Sequence, residues 1–352
     1  MDRRQFLIGV MVSAGLGCRR EPLPAAERAA EIDRLFARRH DQRLFDGEAL
    51  VAERGAVMYR GAFGLADRDA KRPYTMDTRS CLASLSKPIT AVAVMMLAEQ
   101  GLVNFESRLS QLLPGFSTAV GAVTVRQLLT HTSGVPDYPN LGVDRPGVTN
   151  AEIVAALRRV QEPAFPPGLK YQYCNGGYVV LGSIVEALSG QTLPQFLAAR
   201  IFKPLGMTST FVLTTPADKT ASVARGYDRK SGPDDFEGMA TGDGGVYSTV
   251  DDLFRFDQAL YGDTLVRQDT LAVAFTPAQV REGSTTYGFG WNIVRDATGL
   301  RVWHQGNTAG FRAFIERRLS NRVTVIMLTN GGDTNRMAIN EDIQRILVGQ
   351  RI

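Results

Sequence analysis

The most constraining stretch of the chain is Ile89 to Gln100, ITAVAVMMLAEQ, which carries apolar side chains on nearly every face of a helix. Such a helix must be wrapped on all sides, which places it at the centre of a domain rather than on its surface. Gly101 supplies the C-terminal stop. Just before it stands Ser84-Leu85-Ser86-Lys87, the one place in the chain where a serine precedes a lysine by three residues. Residues three apart share a helix face, so the Lys87 amine is expected beside the Ser84 hydroxyl. A serine hydroxyl is a weak nucleophile until a base takes its proton; a lysine desolvated at a helix start can be that base, or can activate another electrostatically. Backbone N–H groups at the helix N-terminus face developing negative charge. Taken alone, the pair also fits an ordinary N-cap serine beside a solvated lysine. Lysine is scarce, however, occurring only at Lys71, Lys87, Lys170, Lys203, Lys219 and Lys230 among 40 lysines and arginines, so an accidental pairing is less expected than usual.

The 352 residues are 44% hydrophobic and 22% charged, enough for a sizeable core. The net charge of +4 comes from scattered arginines, with no basic run interleaved with aromatics, which argues against a nucleic-acid partner. Residues 1–17 read as an export signal. Twin arginines Arg3-Arg4 precede Gln5-Phe6-Leu7-Ile8 and an apolar run to Gly17 of about 12 residues, well short of a membrane span. The pattern resembles a twin-arginine signal for folded cargo, which implies an exported, periplasmic protein. Cys18 after Leu16-Gly17 resembles a lipid-attachment cysteine, although Gly15 stands where leucine is usual. Anchoring to the membrane through a lipidated Cys18 is the corresponding expectation. Loss of residues 1–17 removes Asp2, Arg3 and Arg4 and takes the formal charge from +4 to +3. The remaining cysteines, Cys81 and Cys174, are too few for a disulfide scaffold and read as buried free thiols, with a bridge between the two as the alternative.

Residues 18–24 form a Pro-containing linker, and residues 25–352 a single domain. Ala25–Arg39 has helical spacing, and the runs 48–53 and 56–64 flank Arg54-Gly55 as a β-hairpin. Helical signals dominate from Ser84 to about Leu205, at Val125–Leu129, Ala151–Val160, Tyr178–Leu188 and Leu193–Phe202. Strands return at Tyr287–Val294, Leu300–His304, Phe311–Glu316 and Val323–Leu328, before a closing helix Met337–Val348. The expected fold is α/β of the α+β type. A mostly antiparallel sheet built from both ends of the chain (25–80 and 207–352) is flanked by helices and carries an inserted all-helical region (81–206), with a cleft between the two parts.

Two Tyr-x-Asn triplets occur. Tyr138-Pro139-Asn140 sits in a proline-interrupted loop, whereas Tyr173-Cys174-Asn175 immediately precedes a helix, where a phenol is rigidly placed. Beside an ammonium its pKa can fall toward that of a useful base. Asn175 offers an amide able to hold both Lys87 and a substrate carbonyl. The plainer reading makes Tyr173 a core aromatic and Asn175 a helix cap. His40, His131 and His304 have no metal-ligand spacing, and neither a Gly-x-Ser-x-Gly elbow nor a nucleotide-binding glycine loop is present. Neither a metal nor another cofactor is expected. His131, within a turn-like Thr-His-Thr-Ser-Gly, reads as structural.

In chain order, Ser84-Leu85-Ser86-Lys87, Tyr173-Cys174-Asn175 and a late strand ending in His304-Gln305-Gly306 resemble the three active-site boxes of the group that includes class C β-lactamases, serine D,D-carboxypeptidases and family VIII carboxylesterases. The stretches 128–134, 179–185, 201–207 and 242–249 extend the resemblance over essentially the whole chain after the signal. It implies a β-lactamase/transpeptidase-like fold, with Ser84 as nucleophile and Lys87 and Tyr173 handling protons. Asn175, His304 and Gly306 would position substrate. Backbone N–H groups of Ser84 and Asn307 would form an oxyanion hole, worth roughly 3 kcal/mol per donor. Tyr138 would be a cleft wall, with a solvated loop position as the alternative. The third box departs from the Lys-Thr-Gly usual in class C β-lactamases. Its neutral imidazole would hold a carboxylate less strongly than an ammonium does, while keeping one hydrogen bond to donate; a structural histidine ending a strand beside Trp303 is the alternative. The implied activity is an acyl-enzyme hydrolase acting on a D-Ala-type peptide or an ester, with a small-molecule or peptidoglycan-derived substrate. A class C-like β-lactamase and a non-catalytic peptidoglycan-binding homologue are the alternatives. The oligomeric state stays open.

Overall fold

A computed structural model describes residues 23–228, 232–234, 238–278 and 286–351. Residues 1–17 and Cys18, the expected export signal and lipid-attachment site, lie outside them. Among the described residues, no helix is long and apolar enough to cross a membrane.

The main sheet has seven strands: β1 (Gly47–Glu53), β2 (Ala56–Phe63), β3 (Thr286–Tyr287), β4 (Asn292–Asp296), β5 (Gly299–Thr308), β6 (Phe311–Arg318) and β7 (Val323–Thr329). Their order is β3-β4-β5-β6-β7-β1-β2, every neighbouring pair being antiparallel. The two ends of the chain therefore meet at the β7–β1 pair. The β1–β2 hairpin turns through Arg54 at φ 54° and Gly55 at φ 81°, the two left-handed positions that a tight hairpin matched to strand twist requires.

Successive side chains along a strand face opposite sides, and both faces are buried. Ala49, Val51, Phe314, Val325 and Met327 pack on Ile32, Leu35 and Phe36 of the N-terminal helix (Ala25–Asp41) and on Ile339, Ile343 and Ile346 of the C-terminal helix (Arg336–Leu347). Their neighbours Leu50, Ala52, Ala313, Ile315, Ile326 and Leu328 join the core around the apolar Lys87–Glu99 helix, where every residue from Lys87 to Leu97 is buried. The helical region also contains Val125–Leu129, Asn150–Arg158, Asn175–Ser189 and Leu193–Leu197, the last continuing into a π turn, Ala198–Phe202. Thr124, Thr149 and Thr192 open three of these helices with capping boxes completed by Gln127, Glu152 and Gln195.

Three local expectations are corrected. Ser84 is not in the α-helix but in the 3₁₀ turn Ala83–Ser86 that leads into it. In a 3₁₀ turn residues i and i+3 eclipse, which stacks Ser84 and Lys87 more directly than an α-helix would. The run Tyr287–Val294 is not one strand but two: Gly288-Phe289-Gly290-Trp291 closes a tight turn with Gly288 N–H donating to Trp291 O (2.8 Å), and Gly290 takes φ 80° against the start of the Lys87–Glu99 helix. The strand containing His304 does not end at that box but continues to Thr308 in register with Phe311–Arg318.

Candidate active site

Ser84 reaches the surface through a strained entry. Ala83 sits at φ 48°, a region non-glycine residues rarely occupy, and strain of this kind recurs beside nucleophiles. On the other side of the cleft, β5 runs against residues 82–83: a Cβ at Gly306 would collide with the Leu82 carbonyl oxygen, so only glycine allows this approach. It brings Asn307 to the cleft, a space of about 370 Å³. Ser84, Tyr173 and Asn175 line one side and His304, Gln305 and Asn307 the other, with Tyr171, Asn292 and Trp303 completing it.

Lys87 is fully buried beneath the serine. Its Nζ lies 3.0 Å from Ser84 Oγ, 2.8 Å from Asn175 Oδ1 and 2.9 Å from the Asp243 carbonyl oxygen. As an ammonium it donates to all three. The last two atoms can only accept, so a neutral amine keeps both its N–H groups on them and turns its lone pair to Ser84. Burial lowers the Lys87 pKa to about 8, partly offset by the nearby Asp243 and Asp137 carboxyls. Neutral amine is thus accessible near physiological pH.

Tyr173 departs from expectation. Its hydroxyl hydrogen-bonds Ser84, yet burial raises its pKa, and the Lys87 ammonium lies 4.8 Å from the centre of its ring. Burial outweighs the lowering by the Ser84 hydrogen bond, so the phenol stays protonated in the resting enzyme. Lys87 is the group that titrates. His131 is buried at φ 57°; its Nδ1 accepts from Cys174 N–H (3.1 Å), and its ring lies 4.3 Å from that of Tyr173. Cys81 and Cys174 are both buried, and the Cys174 thiol, pushed up to about 12 by burial, accepts from Gly177 N–H at the start of the Asn175–Ser189 helix.

The His304 imidazole is buried, and both of its nitrogens are occupied within the protein. Nδ1 is 2.8 Å from the Gln305 carbonyl oxygen, which can only accept, so the ring proton sits there; Nε2 then accepts from the Tyr287 hydroxyl at 2.9 Å. Burial depresses the His304 pKa to about 3. The expectation that His304 keeps a hydrogen bond for substrate is therefore corrected. Tyr138 is corrected too. It is buried in the 3₁₀ turn Tyr138–Leu141, with its hydroxyl 3.4 Å from Asp243 Oδ2, and is not among the residues lining the cleft.

Three residues outside the boxes complete the site. Asp137 accepts from the Asn175 side-chain amide (3.1 Å) and from Gly176 N–H (2.8 Å). Asp243 supplies the carbonyl on Lys87, and the matching stretch Gly242-Asp243-Gly244-Gly245 was a signal for it. Arg336, at the start of the C-terminal helix, donates to Gly306 O (2.6 Å), Ala313 O (2.8 Å) and Asn307 Oδ1 (2.6 Å), bracing β5. Among the described residues, no group of three or more His, Cys, Asp or Glu side chains could hold a metal ion.

Comparisons with known proteins identify the family and the fold. A β-lactamase family model matches residues 32–350. Penicillin-binding protein 4* of Bacillus subtilis (strain 168) is 34% identical, covering 91% of this chain and 76% of that protein, and Esterase EstB of Burkholderia gladioli is 31% identical, covering 91% and 95%. Among solved structures, the octameric penicillin-binding protein homologue from Pyrococcus abyssi superposes with a TM-score of 0.83 at 26% identity, covering 92% of this chain and 78% of that one. The fold is β-lactamase/transpeptidase-like, and the chain belongs to the β-lactamase family of serine hydrolases.

Proposed function

We propose that the chain is an exported hydrolase that forms an acyl-enzyme on Ser84 and acts on an ester or a D-Ala-type peptide. Substrates without a carboxylate beside the scissile bond, esters above all, rank ahead of β-lactams and of D-Ala-D-Ala peptides, both of which carry one. The observation that carries the reading is the set of three contacts on Lys87 Nζ, which leaves a neutral amine's lone pair nowhere to point but Ser84 Oγ. Lys87 takes the Ser84 proton as Oγ adds to the acyl carbon, and protonated Tyr173 gives its proton to the departing oxygen or nitrogen. In the second half, water adds to the acyl carbon and its proton goes to the tyrosinate. The Lys87 ammonium returns the serine proton. The Ser84 and Asn307 backbone N–H groups are the proposed oxyanion donors, and the close passage of Gly306 by Leu82 supports that placement.

The substrate ranking rests on the opposite wall. None of the described residues lining the cleft is Lys or Arg, and the neutral His304 has no proton to offer. Likeness to an esterase over 95% of that protein's length supports the ester reading. Export is supported by Arg3-Arg4 and the apolar run that follows, with Cys18 as the proposed lipid attachment.

The test is a substrate panel of p-nitrophenyl acyl esters, a D-Ala-D-Ala peptide and nitrocefin, given to protein lacking residues 1–17. Ester turnover is expected to lead, and Ser84→Ala to lose about 10⁴-fold or more. Nitrocefin turnover exceeding ester turnover would make the chain a β-lactamase instead.

A further inference from the structure

We propose that Asp137, which lies outside the three boxes, is a positioning residue that fixes which end of the Asn175 amide faces Lys87 and so aims the Lys87 lone pair at Ser84. This rests on the reading of Ser84 and Lys87 given above. A carboxamide has two chemically opposite ends of nearly equal shape: the carbonyl oxygen only accepts and the amino group only donates. At Asn175 the carbonyl end meets Lys87 Nζ at 2.8 Å. Rotated by half a turn, the amino group would donate into the lysine lone pair and draw it away from Ser84 Oγ.

Asp137 prevents that rotation. Its Oδ2 accepts from Asn175 Nδ2 at 3.1 Å, and an ionised carboxylate has no proton to offer a carbonyl in the same place. The carboxylate is itself held, because Oδ1 accepts from Gly176 N–H at 2.8 Å and from Tyr138 N–H at 3.1 Å. The 15-residue helix Asn175–Ser189 thus anchors Asp137 at its N-terminus, where negative charge is favoured. Orientation passes along one chain of contacts: helix end, Asp137, Asn175, Lys87, Ser84.

The groups facing Lys87 are the carboxyls of Asp243 and Asp137, the Cys174 thiol, the imidazoles of His131 and His304, and the rings of Tyr173 and Tyr178. Both histidines are held neutral by burial, and burial raises Cys174, Tyr173 and Tyr178. Among these groups Asp137 is the one whose side chain also touches Asn175.

The experiment measures the rate of Ser84 acylation by a p-nitrophenyl ester against pH in wild type, Asp137→Asn and the double variant Asp137→Asn/Asn175→Asp. In the single variant two amino groups oppose each other, so Asn175 rotates. The plateau rate falls about 100-fold, the scale of general-base loss, and the acid limb moves to lower pH because the ammonium has lost both an acceptor and a nearby carboxylate. In the double variant the introduced amide donates to the introduced carboxylate, which again presents an acceptor to Lys87. The plateau then recovers at least tenfold toward wild type, a net gain of about one hydrogen bond. The acid limb moves above that of wild type, because a carboxylate now touches the ammonium. Thermal unfolding of each variant establishes that it is folded, and if the single variant does not fold, the plateau of the double variant compared with that of Asn175→Asp alone decides. A plain helix-cap role for Asp137 would move the acid limb down as well, because a carboxylate near Lys87 is lost either way, but the plateau would not recover in the double variant, and that result overturns the proposal. If wild type itself lacks an acid limb near pH 8, the Lys87 reading fails first and this one with it.

Discussion

The two walls of the cleft treat polar groups in opposite ways. On the nucleophile side, Ser84, Lys87, Asn175, Asp137 and Asp243 are linked so that every hydrogen bond but one is fixed, and the remaining one joins Lys87 to the reacting serine. On the far side, His304 is closed off by Tyr287 and Gln305, and Arg336 by Gly306, Ala313 and Asn307. In the proposed mechanism the first wall carries the proton transfer, while the second offers substrate a neutral strand edge. Both walls are buried, so burial alone does not mark a catalytic group. What separates them is whether an unsatisfied valence still points at the reacting atom.

That contrast can be broken most severely at Lys87. Lys87→Met keeps much of the side-chain volume and removes the base, so acylation of a p-nitrophenyl ester followed by stopped flow should fall about 10³- to 10⁴-fold. Tyr173→Phe keeps the ring under Lys87 but removes the proton donor. Its loss should be smaller for p-nitrophenyl esters, whose leaving group needs little protonation, and about 100-fold for amides, and the ratio of the two rates checks the assignment. His304→Gln, on the passive wall, should change kcat/KM for neutral esters by no more than about tenfold, the size of one neutral hydrogen bond. A large loss there would mean that the far wall is as active as the near one.

The sequence exposed the near wall more fully than the far one, for a physical reason. Ser84 and Lys87 are neighbours on a single turn, and Tyr173 and Asn175 lie at one helix start, so local spacing identified them. The hairpin at Arg54-Gly55 and the buried Lys87–Glu99 helix were legible on the same grounds, as turn chemistry and an apolar period. Asp137 and Asp243 act across 38 and 156 residues of chain, and Arg336 reaches Gly306 across 30. No periodicity encodes such contacts. The tautomer of His304 depends on Tyr287, which the glycine turn at 288–291 places beside it, and that turn was hidden inside a run that alternated like one strand. The raised Tyr173 pKa is not legible in the sequence, because a neighbouring cation shows in motif order whereas depth of burial does not.

The most direct measurement is the pre-steady-state appearance of an acyl adduct on Ser84, by intact mass and peptide mapping, over a range of pH with a p-nitrophenyl ester. Burial lowers Lys87 to about 8, and the base must be neutral to accept the serine proton. The acylation rate should therefore be small below that pH, rise through it and level off above, with no adduct in Ser84→Ala. An adduct that persists in Ser84→Ala, or an acylation rate in wild type that does not change across this range, would contradict the assignment of Ser84 as nucleophile and Lys87 as its base.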